Sequence, residues 1–262
     1  MPEGLDKLAG AIGDTLKTAP TLYEDALQPT VQEAGKFVAR IPRAINAAFS
    51  GLDKWILNKE YAIDETKNLL EKKLENVDPD KIVEPEAYVA VPAIQAISYS
   101  MNSEELRNLY ANLLAKAMNS DTKDVVHPCF VEIIKQISPI DSLVFKTIMK
   151  KEINSLVNLI YENDEGAFHT IISNISDIDV TSTENVCISI DNLIKQGIIS
   201  VPNDGFYATE SVYEKILHSN YYLQKQKSCP TTPDGFKFSH QKKMIAKTNL
   251  GNSFYKICVL DL

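Results

Sequence analysis

Between Ser103 and Ala117 the chain sets Leu106, Leu109, Tyr110, Leu113, Leu114 and Ala117 at three- and four-residue spacing, which puts all six on one side of a helix. That stripe is wider than a helix lying on a single neighbour needs, so it predicts a central helix covered from more than one direction. Ser103, followed by Glu104 and Glu105, supplies the start. Its hydroxyl can accept an orphan backbone N–H, and the acids suit the positive helix end. Asn112 lies beside the stripe. A buried amide without partners costs about 1–3 kcal/mol, so Asn112 is expected to fix a neighbouring loop or a subunit register.

The flanking text offers the covering helices. From Leu5 to about Asn76, Ala, Leu, Lys and Glu dominate, and Pro20, Pro29 and Pro42 sit where separate helices begin or kink. One amphipathic helix is expected from about Arg43, with Ile45, Phe49, Leu52 and Trp55 on its apolar face; a second carries Ile63, Leu69, Leu70 and Leu74. The first face has two readings. It packs on its own domain or a sister subunit, or it lies on a membrane surface, because Lys36, Arg40, Arg43 and Lys54 accompany the aromatic residues. Those same charges interrupt the stretch, so no spanning helix of roughly 20 apolar residues is expected. The opening MPEGLDKLAGAIGDTLK lacks the unbroken apolar run of a secretory signal. The four cysteines, Cys129, Cys187, Cys229 and Cys258, are scattered as reduced thiols would be. A cytoplasmic protein is expected, with peripheral contact at the inner membrane left open.

From Val77 to Ser138 three more helical segments follow, in which Pro85 suits a first-turn position and Pro92 a kink or the start of a second helix. After Pro139 the pattern changes. A short helix leads to two alternating stretches, 155–161 and 167–175, around the turn-rich ENDEG, which reads as a hairpin. A helix closed by Gly197 comes next, then IISV-PNDG-FYAT as two short strands around a turn, a helix from about Glu210 to Gln224, a strand and a last helix. The fold class is therefore mainly α: an N-terminal and central helical bundle followed by a small α+β module whose order looks like a winged helix. The boundaries fall at 1–80, 81–138 and 139–262.

The wording of the central segment is distinctive. IVEP (82–85), the helix of residues 92–99, ELRNLYANLLAKAM (105–118) and VHPCFVEIIKQISP (126–139) resemble the Abi-alpha family, a bacterial group named for abortive infection. The residues that carry the resemblance are Glu84, Pro85, Asn112, His127, Pro128, Phe130 and Pro139, whereas Cys129 stands where a small polar residue such as Ser is expected. The resemblance implies defence against bacteriophage, in which an infected cell is arrested or killed before phage matures. It implies partners of the same kind: a second copy or another defence protein, with a phage component as trigger. It brings no established reaction, catalytic residue or cofactor.

The residues themselves point away from chemistry. There is no Gly-rich phosphate loop, nucleophile elbow or metal-spaced Cys/His set, so no catalytic, cofactor-binding or metal-ligating residue is expected. His127 is expected to sit at a helix start with its ring bonding a loop carbonyl. The 27 Lys and Arg against 35 Asp and Glu leave a net charge of −8, which disfavours general nucleic-acid binding. The charge is uneven. Residues 139–210 hold four lysines against eleven acids, and residues 211–262 eight lysines against three acids. Lys237, Lys242, Lys243 and Lys247 form a candidate basic patch, whose partner is nucleic acid or the acidic half of the same chain. A DNA-binding winged-helix regulator is thus the alternative to a contact-making defence protein.

Overall fold

The computed structural model describes residues 60–100, 102–229 and 235–262, together with Asn46. The expected face of Ile45, Phe49, Leu52 and Trp55 lies outside the described residues. What is described is mainly helical, with a small antiparallel sheet.

Five helices come first: α1 (Glu60–Leu74), α2 (Ala87–Ile97), α3 (Glu104–Ala117), α4 (Cys129–Gln136) and α5 (Pro139–Lys150). Ser103 caps α3 by accepting the Leu106 N–H at 3.3 Å, and the stripe from Leu109 to Ala117 is buried among α1, α2, α4 and α5. One expectation about proline is corrected and one is narrowed. Pro85 lies outside α2, whose N-cap is Glu86, and of the two readings of Pro92 the start of a second helix falls away, because Pro92 sits inside α2. Packing carries the helix through: Val89, Ala90, Ala93, Ile94, Ala96 and Ile97 are all buried, which offsets the one backbone hydrogen bond that Pro92 cannot donate. Pro139 opens α5, where Ser138 and Asp141 form a capping box.

The sheet follows. β1 (Ser155–Glu162) and β2 (Phe168–Ser176) form the expected hairpin, and β4 (Lys237–Met244) pairs antiparallel with the other side of β1, giving the order β2-β1-β4. Asn174 adopts a left-handed backbone (φ 64°) in a bulged part of β2. Asn158 Oδ1 accepts its N–H, while its own amide donates to Asp191 at 2.7 Å on α6 (Thr183–Lys195). One bulge thereby pins the hairpin to a helix.

Past α6 the chain departs from the expected second hairpin. β3 (Ile199–Ser200) pairs with β5 (Ala246–Lys247), and FYAT is not a strand. Tyr207 is instead anchored in a loop: its N–H donates to Tyr213 Oη at 2.8 Å, and its own hydroxyl accepts the Asn154 N–H. The turn signal of PNDG was local, but the strand partner lay far along the chain. The helix expected over 210–224 is two helices, α7 (Ser211–Leu217) and α8 (Asn220–Ser228), because Ser219 caps the second. The chain closes with α9 (Asn249–Phe254) and a π turn over Tyr255–Val259. Two glycines are required here. Gly197 ends α6 at φ +72°, and a Cβ on Gly251 would lie 1.8 Å from the Ile198 carbonyl oxygen, so α9 can approach the residue ahead of β3 only without a side chain there.

One core cluster runs from Leu70 through Leu113, Phe130 and Phe145 to Phe254 and Cys258, so apolar packing is continuous across residue 139. A smaller cluster, including Val157, Leu159, Ile175, Tyr213 and Tyr222, lies between the sheet and α7 and α8.

Candidate functional site

The densest convergence of buried polar groups lies where α3 meets the last turn. A π turn leaves carbonyls that no helical N–H reaches. Lys116, only 6% exposed, donates its ammonium to the carbonyls of Lys256 and Leu260, the latter at 2.7 Å. One helical turn earlier, Asn112 donates to the Cys258 carbonyl at 3.0 Å and to that of Val259 at 3.4 Å. A cation at a helix C-terminus is favourable in itself, and burial lowers the Lys116 pKa against that attraction. Outside the turn, Lys73 on α1 holds Asp261 at 2.7 Å, which keeps that carboxyl below the usual range. Aromatic contacts complete this clasp: Phe254 packs edge-on against Phe130 at 5.7 Å and Phe145 at 5.5 Å.

Cys258 and Cys129 belong to the core around the clasp, and Cys187 to the smaller cluster under the sheet. Burial pushes Cys258 well up and raises Cys129, while Cys187 is raised to about 11 by burial and then by Asp191. A raised pKa favours the protonated thiol over the thiolate. Among the described residues no three His, Cys, Asp or Glu side chains converge as a metal site would require, and no helix is long and apolar enough to cross a membrane.

The lysines of the candidate basic patch meet groups of the same chain. Lys237 pairs with Asp164 at 2.9 Å, Lys242 pairs with Glu210, and Lys243 donates to the Asn203 carbonyl. Lys247 donates to the carbonyls of Met149 and Lys151, at the end of α5. Asp164 and Glu210 belong to the acid-rich stretch 139–210.

The model of the family described as Abortive infection alpha matches residues 58–258. The chain belongs to that family. No curated protein matches it significantly. Among solved structures, it resembles the uncharacterized protein from the hydrocarbon-degrading marine bacterium Alcanivorax borkumensis SK2 at 11% identity and a TM-score of 0.37, over 54% of this chain and 96% of that one.

In this abortive infection alpha chain, the residues that carried the resemblance do not gather into one cleft. Asn112 and Phe130 meet at the clasp. Pro85 is buried ahead of α2, next to exposed Glu84, near where the 81–83 and 118–120 segments bridge through Ile82 and Asn119. Pro128 is the N-cap of α4 and Pro139 the first residue of α5. His127 stands one residue ahead of the Pro128 cap, at the entry to α4, but its Nδ1 accepts the Cys129 N–H at 3.1 Å and does not bond a loop carbonyl, because the ring folds back over the orphan donors of α4. Sequence reasoning missed Lys116. Its signal was a cation one turn after Asn112 on a helix otherwise buried through its second half. It also missed Asp177, which holds Lys151 at 2.8 Å and Lys215 at 3.6 Å between α5 and α7.

Proposed function

We propose that this abortive infection alpha protein acts in antiphage defence without catalysis, by presenting surfaces to other macromolecules. The observation that carries the reading is the use to which the family's side chains are put: Asn112 binds a turn, His127 caps a helix, Phe130 packs on Phe254 and Pro139 opens α5. These are scaffold roles, and what a scaffold can vary is its surface. On this reading the protein works in the cytoplasm as a homo-oligomer or beside another defence protein, with a phage component as trigger. The face of Ile45, Phe49, Leu52 and Trp55 then serves self-association or contact with the inner membrane.

Phage challenge of cells carrying the intact gene tests this. Protection that survives Cys129→Ser and His127→Ala but is lost with Phe49→Ser and Trp55→Ser supports it. Purified protein that turns over a substrate, with turnover abolished by one polar substitution, overturns it.

A second reading, a DNA-binding regulator of winged-helix type, draws on α6 closing at Gly197 into β3, and on β5 feeding α9. Sequence-specific retention of genomic fragments at physiological salt, lost on Lys242→Ala, Lys243→Ala and Lys247→Ala together, would establish it in place of the first.

A further inference from the structure

The two edges of the sheet differ. β2 is bulged, and its Asn174 is clamped to α6, so its outer side is irregular. β4 pairs with β1 over all eight residues without a register shift. Its outward-facing groups follow from one hydrogen bond. Ile245 donates to the Asn154 carbonyl directly opposite, at 2.9 Å, so in an antiparallel ladder Lys243, Gln241, Ser239 and Lys237 also turn their backbone groups toward β1. Phe238, His240 and Lys242 therefore turn theirs outward, where no backbone or side-chain partner meets them among the described residues. An open groove of about 460 Å³ runs beside the stretch from His240 to Lys243, with Asn203, Asp204 and Phe206 also lining it, and Phe206 is 60% exposed.

We propose that this edge of β4 receives an extended, acidic peptide segment of a partner protein as a fourth strand. An added strand would pair with the outward N–H and C=O groups, while its alternate side chains met Lys237 and Lys243 on one face and Lys242 on the other. Glu210, which holds Lys242, is exposed, so an incoming carboxylate can exchange with it. Charge selects the occupant. A second copy paired through β4 about His240 would set Lys237 directly opposite Lys243, and like charges so placed destabilise. Nucleic acid would satisfy the lysines but offers no peptide groups to the ladder. The inference rests on the reading of the chain as a contact-making protein, and it names one such contact.

The test uses the full chain and an eight-residue peptide of alternating Glu and Val, matched to the eight residues of β4. Binding should slow amide exchange at Phe238, His240 and Lys242 by about tenfold or more, read by NMR. The same peptide N-methylated at alternate residues should bind about tenfold or more weakly, as should the peptide with the Lys237→Glu, Lys243→Glu chain. The proposal is overturned if the peptide does not bind, if the N-methylated form binds equally, or if a Lys-Val peptide does. It is also overturned if a single-stranded oligonucleotide protects those amides in place of the peptide. The N-methylated control needs no variant, so a misfolded mutant cannot mask the result. Failure here removes the β4 contact alone, and phage challenge separately decides the defence reading.

Discussion

The clasp at the last turn and the outer edge of the sheet use lysine in opposite ways. At the clasp, Lys116 is enclosed and its ammonium is aimed at carbonyls that have no helical partner. On β4, the Lys237 side chain is 58% exposed and pairs with an Asp164 that is 88% exposed. The difference teaches where each region's worth lies. A buried polar group must have its partner or it costs the whole desolvation term, so the clasp contributes through stability. An exposed pair contributes little to folding and is available to exchange partners, so the edge contributes through binding.

Five measurements break or sharpen that contrast. Phe254 is fully buried between Phe130 and Phe145, so Phe254→Ala should cost about 3–5 kcal/mol in urea unfolding. Next, Lys116→Ala strands the carbonyls of Lys256 and Leu260 and should cost about 2–4 kcal/mol by the same measurement. A loss within about 0.5 kcal/mol would place the clasp on a par with the surface pairs and dissolve the distinction. Asn112→Leu should cost about 1–3 kcal/mol and selectively speed amide exchange in residues 255–260. On the sheet, Lys237→Ala should change stability by less than about 0.5 kcal/mol.

The smallest effect concerns acid. Lys73 depresses the Asp261 pKa, so the pair's contribution is fully present above the ordinary carboxylate value and fades as pH falls through the depressed one. Because that carboxylate is 79% exposed, the change should be roughly 0.3 kcal/mol, visible as faster exchange of the Leu260 and Asp261 amides below about pH 4. Lys73→Met should weaken that pH dependence, leaving the smaller part that Asn112 and Lys116 supply.

The parts of the fold that were legible were those whose signals are local. The stripe from Leu106 to Ala117 with its Ser103 cap, the hairpin around residues 163–167 and the Gly197 helix end all follow from neighbours in sequence. What could not be read was the choice of distant partners. β3 and FYAT are equally strand-like locally, but β3 is claimed by β5, and Tyr207 is claimed by the hydroxyl of Tyr213. Pro92 left two readings open for a related reason: burial along α2 outweighs one missing donor, and that burial depends on distant partners. At the site, Asn112 announced a buried amide in need of a partner, but nothing near it named the carbonyls that supply one. Lys116 gave still less, since a lone lysine on a helix is ordinarily solvated.

The π turn has a consequence for how the molecule comes into being. Its bonds to α3 join positions 140 to 147 residues apart, so the central helix emerges from the ribosome long before the segment that completes it. Until residue 260 has been synthesised, Lys116 and Asn112 face a half-built interior with water as their partner. A chain that stopped before residue 255 would therefore be defective around Asn112 and Lys116, and quality control would meet it as an opened bundle.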